Sequence, residues 1–439
     1  MTEMTLSEAV DYYHSLEKFG IMPGLERIEI LANALGAPHK KLKFVHVAGT
    51  NGKGSTCTAL ASVLTEAGYK TGLYTSPYVI DFRERIQYNM SMISPEDLID
   101  VTEKVKEKIE QLSEKGIKIT EFEAVTAAAL TYYAKRNCDI VVLETGLGGR
   151  FDATNIIPSP VCSIITSVSL DHTGILGDTL SAIAFEKSGI IKNGCPVVTD
   201  ASACAEVLGV IEKQCNEKNA ELFKADYTDI FSVAGESING TSVLSEKGKF
   251  TVPWCGVHQL QNMSLVWTAV EILNSAGFDI SDRAFCAGIS KARIPARTEV
   301  LSEKPLVILD GSHNDGSTEA FAKILKKHLS GKRILAVMGM MADKDCRKSL
   351  SNLMPCFTEV ITVKPSNPRS MSASELALIA KDFGVTSFAA GAPLDGIALA
   401  FQKIDKFDAL AVCGSLYLAG DVRDEMLKLC KKEVIKGES

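Results

Sequence analysis

The chain has 439 residues, of which 46% are hydrophobic and 23% charged; this is ordinary globular composition and argues against a disordered, coiled-coil or collagen-like protein. At roughly 150 residues per domain the length suits two or three domains. The formal net charge is −7, from 47 Lys and Arg against 54 Asp and Glu, which disfavours a nucleic-acid partner because a phosphate backbone is met by a basic surface.

Short β-branched runs alternate with longer helical patterns almost throughout. Phe44–Ala48 is an apolar run that stops at glycines. Residues 55–68 follow as a helix, with Ala59, Leu60, Val63, Leu64 and Ala67 at helical spacing. Next come a strand at 71–75, helices at 95–112 and 122–136, and a buried strand at 139–144. Strands at 161–168 and 196–199 then alternate with helices at 179–188 and 205–215. Residues 221–253 differ: Gly235, Gly240 and Gly248 separate short β-like pieces, which predicts a small antiparallel excursion. A helix returns at 262–276. Arg293-Ile294-Pro295-Ala296-Arg297 reads as a linker, because proline interrupts the pattern. Beyond it, strands at 306–309, 333–338, 359–363 and 409–412 alternate with helices at 317–329, 374–382, 394–403 and 416–429. Such alternation predicts right-handed crossovers and parallel sheets covered on both faces. We expect two α/β domains, 1–294 and 295–439.

No stretch approaches the roughly 20 apolar residues of a membrane span, and the N-terminus lacks the basic start and apolar run of a leader. Neither a membrane partner nor secretion is expected. The twelve cysteines form no Cys-x-x-Cys pair and read as reduced, mostly buried thiols of a cytoplasmic protein.

The main chemical signal is Gly49-Thr50-Asn51-Gly52-Lys53-Gly54-Ser55-Thr56, between the first strand and the first helix of the alternation. Glycines let the backbone curl so that N–H groups converge on phosphate oxygens, and the helix adds the positive end of its dipole. Lys53 is placed to reach the β- and γ-phosphates, and a hydroxyl of Thr50, Ser55 or Thr56 could hold phosphate or magnesium. The match is not a standard Walker A, which would have glycine at Val47 and Ser or Thr at Gly54. Glu144 ends a hydrophobic strand before a glycine-rich loop. A carboxylate at that sheet edge suits Mg²⁺. Ser76 lies in a Ser-Pro turn, Thr120 and Glu123 form a capping box, and Lys187 lies near a helix C-terminus, where the dipole favours it.

The loop, with Ala48 before it, closely resembles the ATP loop of the folylpolyglutamate synthase/dihydrofolate synthase family of Mur ligases. Other segments match that family in order: Thr75-Ser76-Pro77 before Phe82–Ile86, Thr120–Glu123, Asp152-Ala153-Thr154, Asp171-His172, Lys187, Asn262, Pro295-Ala296-Arg297, Asp310-Gly311-Ser312-His313-Asn314, Asp343-Lys344-Asp345 and Gly414–Gly420. Tyr78 stands where the family commonly has histidine, and Ser312 where it has alanine. The resemblance implies an N-terminal P-loop domain with a doubly wound, mostly parallel sheet that binds ATP and folate. It implies a smaller, Rossmann-like C-terminal domain. It assigns Gly49–Thr56, Asn262, Arg297 and Asp310 to ATP, and Ser55, Ser76, Glu144, His172 and Lys187 to two Mg²⁺ ions, with Lys187 carbamylated. It puts Phe122, Asp152, Ala153, His313 and Ser415 on the folate and glutamate substrates, and Lys53, His172, Lys187, Arg297 and His313 among the catalytic residues. The implied reaction is ATP-dependent addition of L-glutamate to tetrahydrofolate, with dihydropteroate as the acceptor in a second activity, by a monomer. A cell-wall Mur ligase acting on a UDP-linked precursor would need a further N-terminal domain. A non-catalytic nucleotide-binding protein would leave Arg297, Asp310 and His313 unexplained.

Overall fold

The computed structural model describes residues 4–342 and 346–437, with side chains to residue 432; Asp343-Lys344-Asp345 therefore lies outside the described residues. Helices α1 (Leu6–Ser15) and α2 (Glu26–Ala34) precede β1 (Phe44–Ala48). Then come α3 (Lys53–Glu66), β2 (Thr71–Tyr74), β3 (Ile86–Tyr88), β4 (Ser91–Met92), α4 (Pro95–Ser113), α5 (Glu121–Lys135) and β5 (Ile140–Glu144). Next are β6 (Cys162–Ile165), α6 (Thr173–Leu176), α7 (Leu180–Ser188), β7 (Val197–Asp200), α8 (Ala205–Glu217), β8 (Leu222–Ala225) and α9 (Tyr227–Ile230). The antiparallel excursion is β9 (Ser232–Ser237), β10 (Gly240–Ser245) and β11 (Gly248–Val252), followed by α10 (Val257–Ser275) and α11 (Asp282–Lys291). The last third is β12 (Glu299–Glu303), β13 (Leu306–Leu309), α12 (Asp315–His328), β14 (Ile334–Met338), α13 (Cys346–Leu353), β15 (Glu359–Val363), α14 (Ala373–Asp382), β16 (Thr386–Gly391), α15 (Pro393–Lys403), β17 (Ala409–Cys413) and α16 (Leu416–Gly437).

Eight strands form one sheet in the order β4-β3-β2-β5-β1-β6-β7-β8. From β2 to β8 all neighbours are parallel, while β3 and β4 are antiparallel additions. Register sets Val47 beside Glu144, Ala48 beside Ile165, and Tyr74 beside Leu143. The residues after these strands therefore leave at one edge, on both sides of β1. There the chain order reverses, and a doubly wound sheet opens its ligand crevice at such a point. Strands β1 and β5 are buried at every position, as expected for a sheet covered on both faces.

The core beneath this edge joins α1, α2, α4 and α5 to the sheet through Tyr13, Ile28, Leu31, Leu98, Val105, Val125 and Leu143. Each such large apolar side chain contributes roughly 1.5–3 kcal/mol on burial. The predicted capping box exists: Thr120 Oγ1 accepts from Glu123 N, and Glu123 Oε2 accepts from Thr120 N at 2.8 Å. A second sheet has the order β12-β13-β17-β14-β15-β16, parallel except for β12.

The chain divides into two compact units that switch between Arg293 and Ile294. The expected continuous 1–294 segment needs correction, because residues 233–243 and 252–258 belong to the second unit. Glycine spacing reveals the hairpins but not the unit that claims their apolar faces. Among the described residues, no helix is long and apolar enough to cross a membrane. All twelve cysteines are free thiols, and nine are buried.

Candidate active site

The Gly49–Thr56 loop takes the predicted place, between β1 and α3. Gly49 has φ +155°, and a Cβ there would lie 1.7 Å from Thr166 Oγ1; Gly52 has φ +87°, and its Cβ would lie 2.3 Å from Asn262 Oδ1. Both positions exclude larger residues on backbone and space grounds together. The contact at Gly52 also sets Asn262 directly against the loop. The first-turn N–H groups of α3 have no intrahelical acceptors, so they add donors at the positive end of a helix.

The loop is braced by the segment after β6. Thr50 N donates to Ser167 O at 2.7 Å, Thr50 Oγ1 to Ser169 O at 3.1 Å, and Thr166 Oγ1 to Asn51 O at 2.8 Å. Asn51 N donates to Ser167 Oγ at 3.2 Å. Sequence reasoning missed these residues; their place at the end of a strand next to β1 is the signal that could have found them. Lys53 Nζ donates to Thr50 O at 3.1 Å and stands 4.0 Å from Glu144 Oε1. Lys187 is 3% exposed, and its Nζ donates to Gly49 O at 2.7 Å. Burial, reinforced by the charge of Lys53, lowers its amine to about 7.

Oxygen donors surround this edge. Glu144 is 4% exposed and accepts from Ser76 N through Oε2 at 3.2 Å. Ser55 is buried, and Thr56 Oγ1 is buried with no hydrogen-bond partner. Glu144 Oε2 lies 3.7 Å from where a Cβ on Gly54 would stand, so a buried carboxylate faces the start of α3, and such an oxygen donor fits a hard cation. His172 has φ +50° at the start of the four-residue α6; its exposed ring lies 3.9 Å from Asp171 Oδ1 at Nε2.

Phe122 lies over the loop after Glu144, since a Cβ on Gly146 would fall 2.5 Å from its ring. Arg85 sits 5.8 Å from the same ring and pairs with Glu121 at 2.9 Å. Asp152 and Ala153, expected to face substrate, are buried, at 5% exposure each. Asp152 holds the loop by accepting from Leu147 N, Thr154 N and Thr154 Oγ1 at 2.5–3.0 Å. Burial nevertheless raises its pKa. His46 Nε2 meets Thr154 Oγ1 at 2.8 Å; burial keeps this histidine neutral, at about 3.

In the second unit, Arg297 sits in a turn whose flanking residues are both left-handed, Ala296 at φ +55° and Thr298 at φ +47°. For a β-branched residue this is strained backbone, and it is held by specific bonds. Asp310, at the end of β13, accepts from Thr298 N at 2.8 Å and from Ser312 N at 2.8 Å. Glu299 accepts from Ala296 N at 3.0 Å and is forked by Arg423 at 2.6–3.1 Å. Thr298, Glu299 and Arg423 were not legible as site residues. Burial raises the pKa of Asp310. Partly buried His313 directs Nδ1 to Gly311 O at 2.9 Å. Ser415, expected at the glutamate site, is 1% exposed and caps α16 by accepting from Leu418 N at 3.0 Å.

The Mur ligase middle domain matches residues 47–270, and the Mur ligase glutamate ligase domain matches residues 296–416. The chain is 37% identical to the dihydrofolate synthase/folylpolyglutamate synthase of Bacillus subtilis, covering 95% of this chain and 98% of that one. It superposes on Mycobacterium tuberculosis folylpolyglutamate synthase complexed with ADP and AMPPCP with TM-score 0.87, at 28% identity over 96% of this chain and 98% of that one. Escherichia coli FolC in complex with DHPP and ADP matches with TM-score 0.84, at 28% identity over 96% and 98%.

Proposed function

We propose that this chain, which belongs to the Mur ligase family and within it to the folylpolyglutamate synthase/dihydrofolate synthase family, joins L-glutamate to a folate through an ATP-dependent amide bond. The observation that carries the reading is the braced Gly49–Thr56 loop beside buried Glu144, at the point where the strand order reverses. Tetrahydrofolate is one acceptor; dihydropteroate, receiving its first glutamate, is the other. We read the protein as a cytoplasmic monomer.

A carboxylate is a poor electrophile. The γ-phosphoryl group of ATP therefore passes first to the acceptor carboxylate, leaving ADP and an acyl phosphate. The glutamate amine attacks the acyl carbon, the C–O bond to phosphate breaks, and phosphate and a proton leave. Most of the protein's work in such transfers is positioning and charge compensation. Within the first unit, Lys53 offsets charge on the transferring phosphoryl group, Asn262 and the loop N–H groups orient the nucleotide, and Phe122 offers its ring to the pterin. For the second unit the family resemblance assigns Arg297 and Asp310 to the nucleotide and His313 to glutamate.

The donors Ser55, Ser76 and Glu144 suit one Mg²⁺; His172 and a carbamylated Lys187 would hold a second. When bound, Mg²⁺ supplies Lewis-acid polarisation and charge neutralisation of phosphate oxygens. A lysine whose amine sits at about 7 is substantially uncharged at neutral pH. It can therefore attack CO₂, forming an N–C bond and releasing a proton, which supports the carbamate reading.

The test supplies ATP, Mg²⁺ and glutamate with dihydropteroate or tetrahydrofolate, side by side. Pterin- and glutamate-dependent ADP release with at least one acceptor is expected. Release no greater than that without any pterin overturns the reading.

A further inference from the structure

Apart from the residues above, three side chains converge within the second unit. Cys255 Sγ lies 3.1 Å from His328 Nε2 and 3.3 Å from Glu236 Oε1, and the same Nε2 is 3.2 Å from the same Oε1. We propose that Glu236, Cys255 and His328 form a binding site for a divalent cation of the zinc class, linking β9, the turn after β11 and the end of α12.

The three atoms make a nearly equilateral triangle whose corners lie roughly 1.8 Å from its centre. Bonds from zinc to nitrogen and oxygen are about 2.0–2.2 Å, and to sulfur about 2.3 Å. An ion therefore sits about 1 Å above the plane, in the position of a tetrahedral ion with three protein ligands and one place for water. The mixed sulfur, nitrogen and oxygen set favours a borderline-soft ion and disfavours Mg²⁺ and Ca²⁺, which take oxygen.

The surroundings support the assignment. Cys255 is 1% exposed, and the side chains of Glu236 and His328 are 13% and 15% exposed, so the ion would be largely shielded. Glu236 Oε2 accepts from Lys327 Nζ at 2.5 Å, which fixes the carboxylate and leaves Oε1 to point at the other two ligands. His328 is the last residue of α12, and a helix C-terminus favours a cation. In the metal-free protein Glu236 Oε1 accepts from the Cys255 thiol and from His328 Nε2–H, so the three atoms already stand together before any ion arrives. Metal binding replaces those bonds with three ligand bonds and sends the Cys255 thiol proton to bulk solvent. The ligands come from widely separated parts of the chain, so no short motif announces them.

The full-length protein is stripped with a chelator, returned to buffer with excess Mg²⁺ to fill oxygen sites, and titrated with Co²⁺ as the probe. One equivalent of Co²⁺ with a thiolate-to-cobalt charge-transfer band is expected, and Zn²⁺ should bleach it. Cys255→Ser should abolish the band, and Glu236→Gln and His328→Ala should each weaken Co²⁺ binding at least tenfold while the far-ultraviolet circular dichroism is kept. Absence of the band in the unsubstituted protein overturns the proposal, as does a band that survives Cys255→Ser. Neither result bears on the ligase reading.

Discussion

Lys187→Met is expected to stabilise the protein at neutral pH while abolishing ligase turnover. The amine falls from 10.5 in water to about 7 in the folded chain, chiefly through burial. The folded value lies below the unfolded one, so between those limits the unfolded chain holds more protons and stability rises with pH. The penalty is full below about pH 7 and relieved above pH 10.5. At about 1.4 kcal/mol per pKa unit it amounts to about 4 kcal/mol near pH 7.5 and about 1.4 kcal/mol near pH 9.5. Methionine keeps the length and apolar stem but loses the bond to Gly49 O, worth about 1–1.5 kcal/mol. The net expectation is a gain of about 2–3 kcal/mol near pH 7.5, shrinking to about zero near pH 9.5. Urea unfolding in CO₂-free buffer measures it, since a carbamate would change the charge. The two tryptophans, Trp254 and Trp267, fall in different units. A Trp254→Phe background therefore leaves Trp267 as the reporter of the first unit. A variant destabilised near pH 7.5, or a gap that does not narrow at higher pH, refutes the reasoning.

The same geometry sets other outcomes. Lys53→Ala should lower kcat at least about a hundredfold, the range seen when a charge-stabilising group is removed, with unchanged circular dichroism; unchanged turnover would remove the phosphate-loop assignment. Gly52→Ala should destabilise by about 1–3 kcal/mol and raise the KM for ATP, because its Cβ meets Asn262 Oδ1. Adding Asn262→Ala should restore part of the stability but not the KM, and a double-mutant cycle measures the difference. Asp310→Asn turns an acceptor toward N–H donors of Thr298 or Ser312. It should destabilise by about 1–3 kcal/mol by urea unfolding and lower kcat as the Arg297 turn relaxes.

What could be read from the sequence was what is contiguous. Gly49–Thr56 carries its whole geometry in eight neighbouring residues, and β13 and β15 match their predicted bounds because a buried parallel strand is one unbroken apolar run. The apolar periodicity marks α10 only from residue 262, whereas the helix starts at Val257, since His258, Gln259 and Gln261 carry no apolar pattern. The amphipathic α11 and α13 and edge strand β16 were also missed. The braces were illegible for a different reason. Ser167 reaches the phosphate loop only through the β1–β6 pairing, and Asp310 holds Thr298 only once β12 folds back on β13. Burial of Asp152 likewise depends on closure of a loop, where sequence shows merely a polar residue after glycines.

The division of the second unit has a consequence during synthesis. Residues 233–243 and 252–258 leave the ribosome before residue 294, yet they pack with the chain beyond it. Ile238 packs against the core of Ile308, Phe321 and Leu325 in the finished protein, but at that stage those partners have not been made. The nascent chain therefore carries an unmatched apolar hairpin until β13 and α12 appear. A fragment ending at residue 293 would keep it permanently, and should bind chaperones or precipitate where the whole chain stays dispersed.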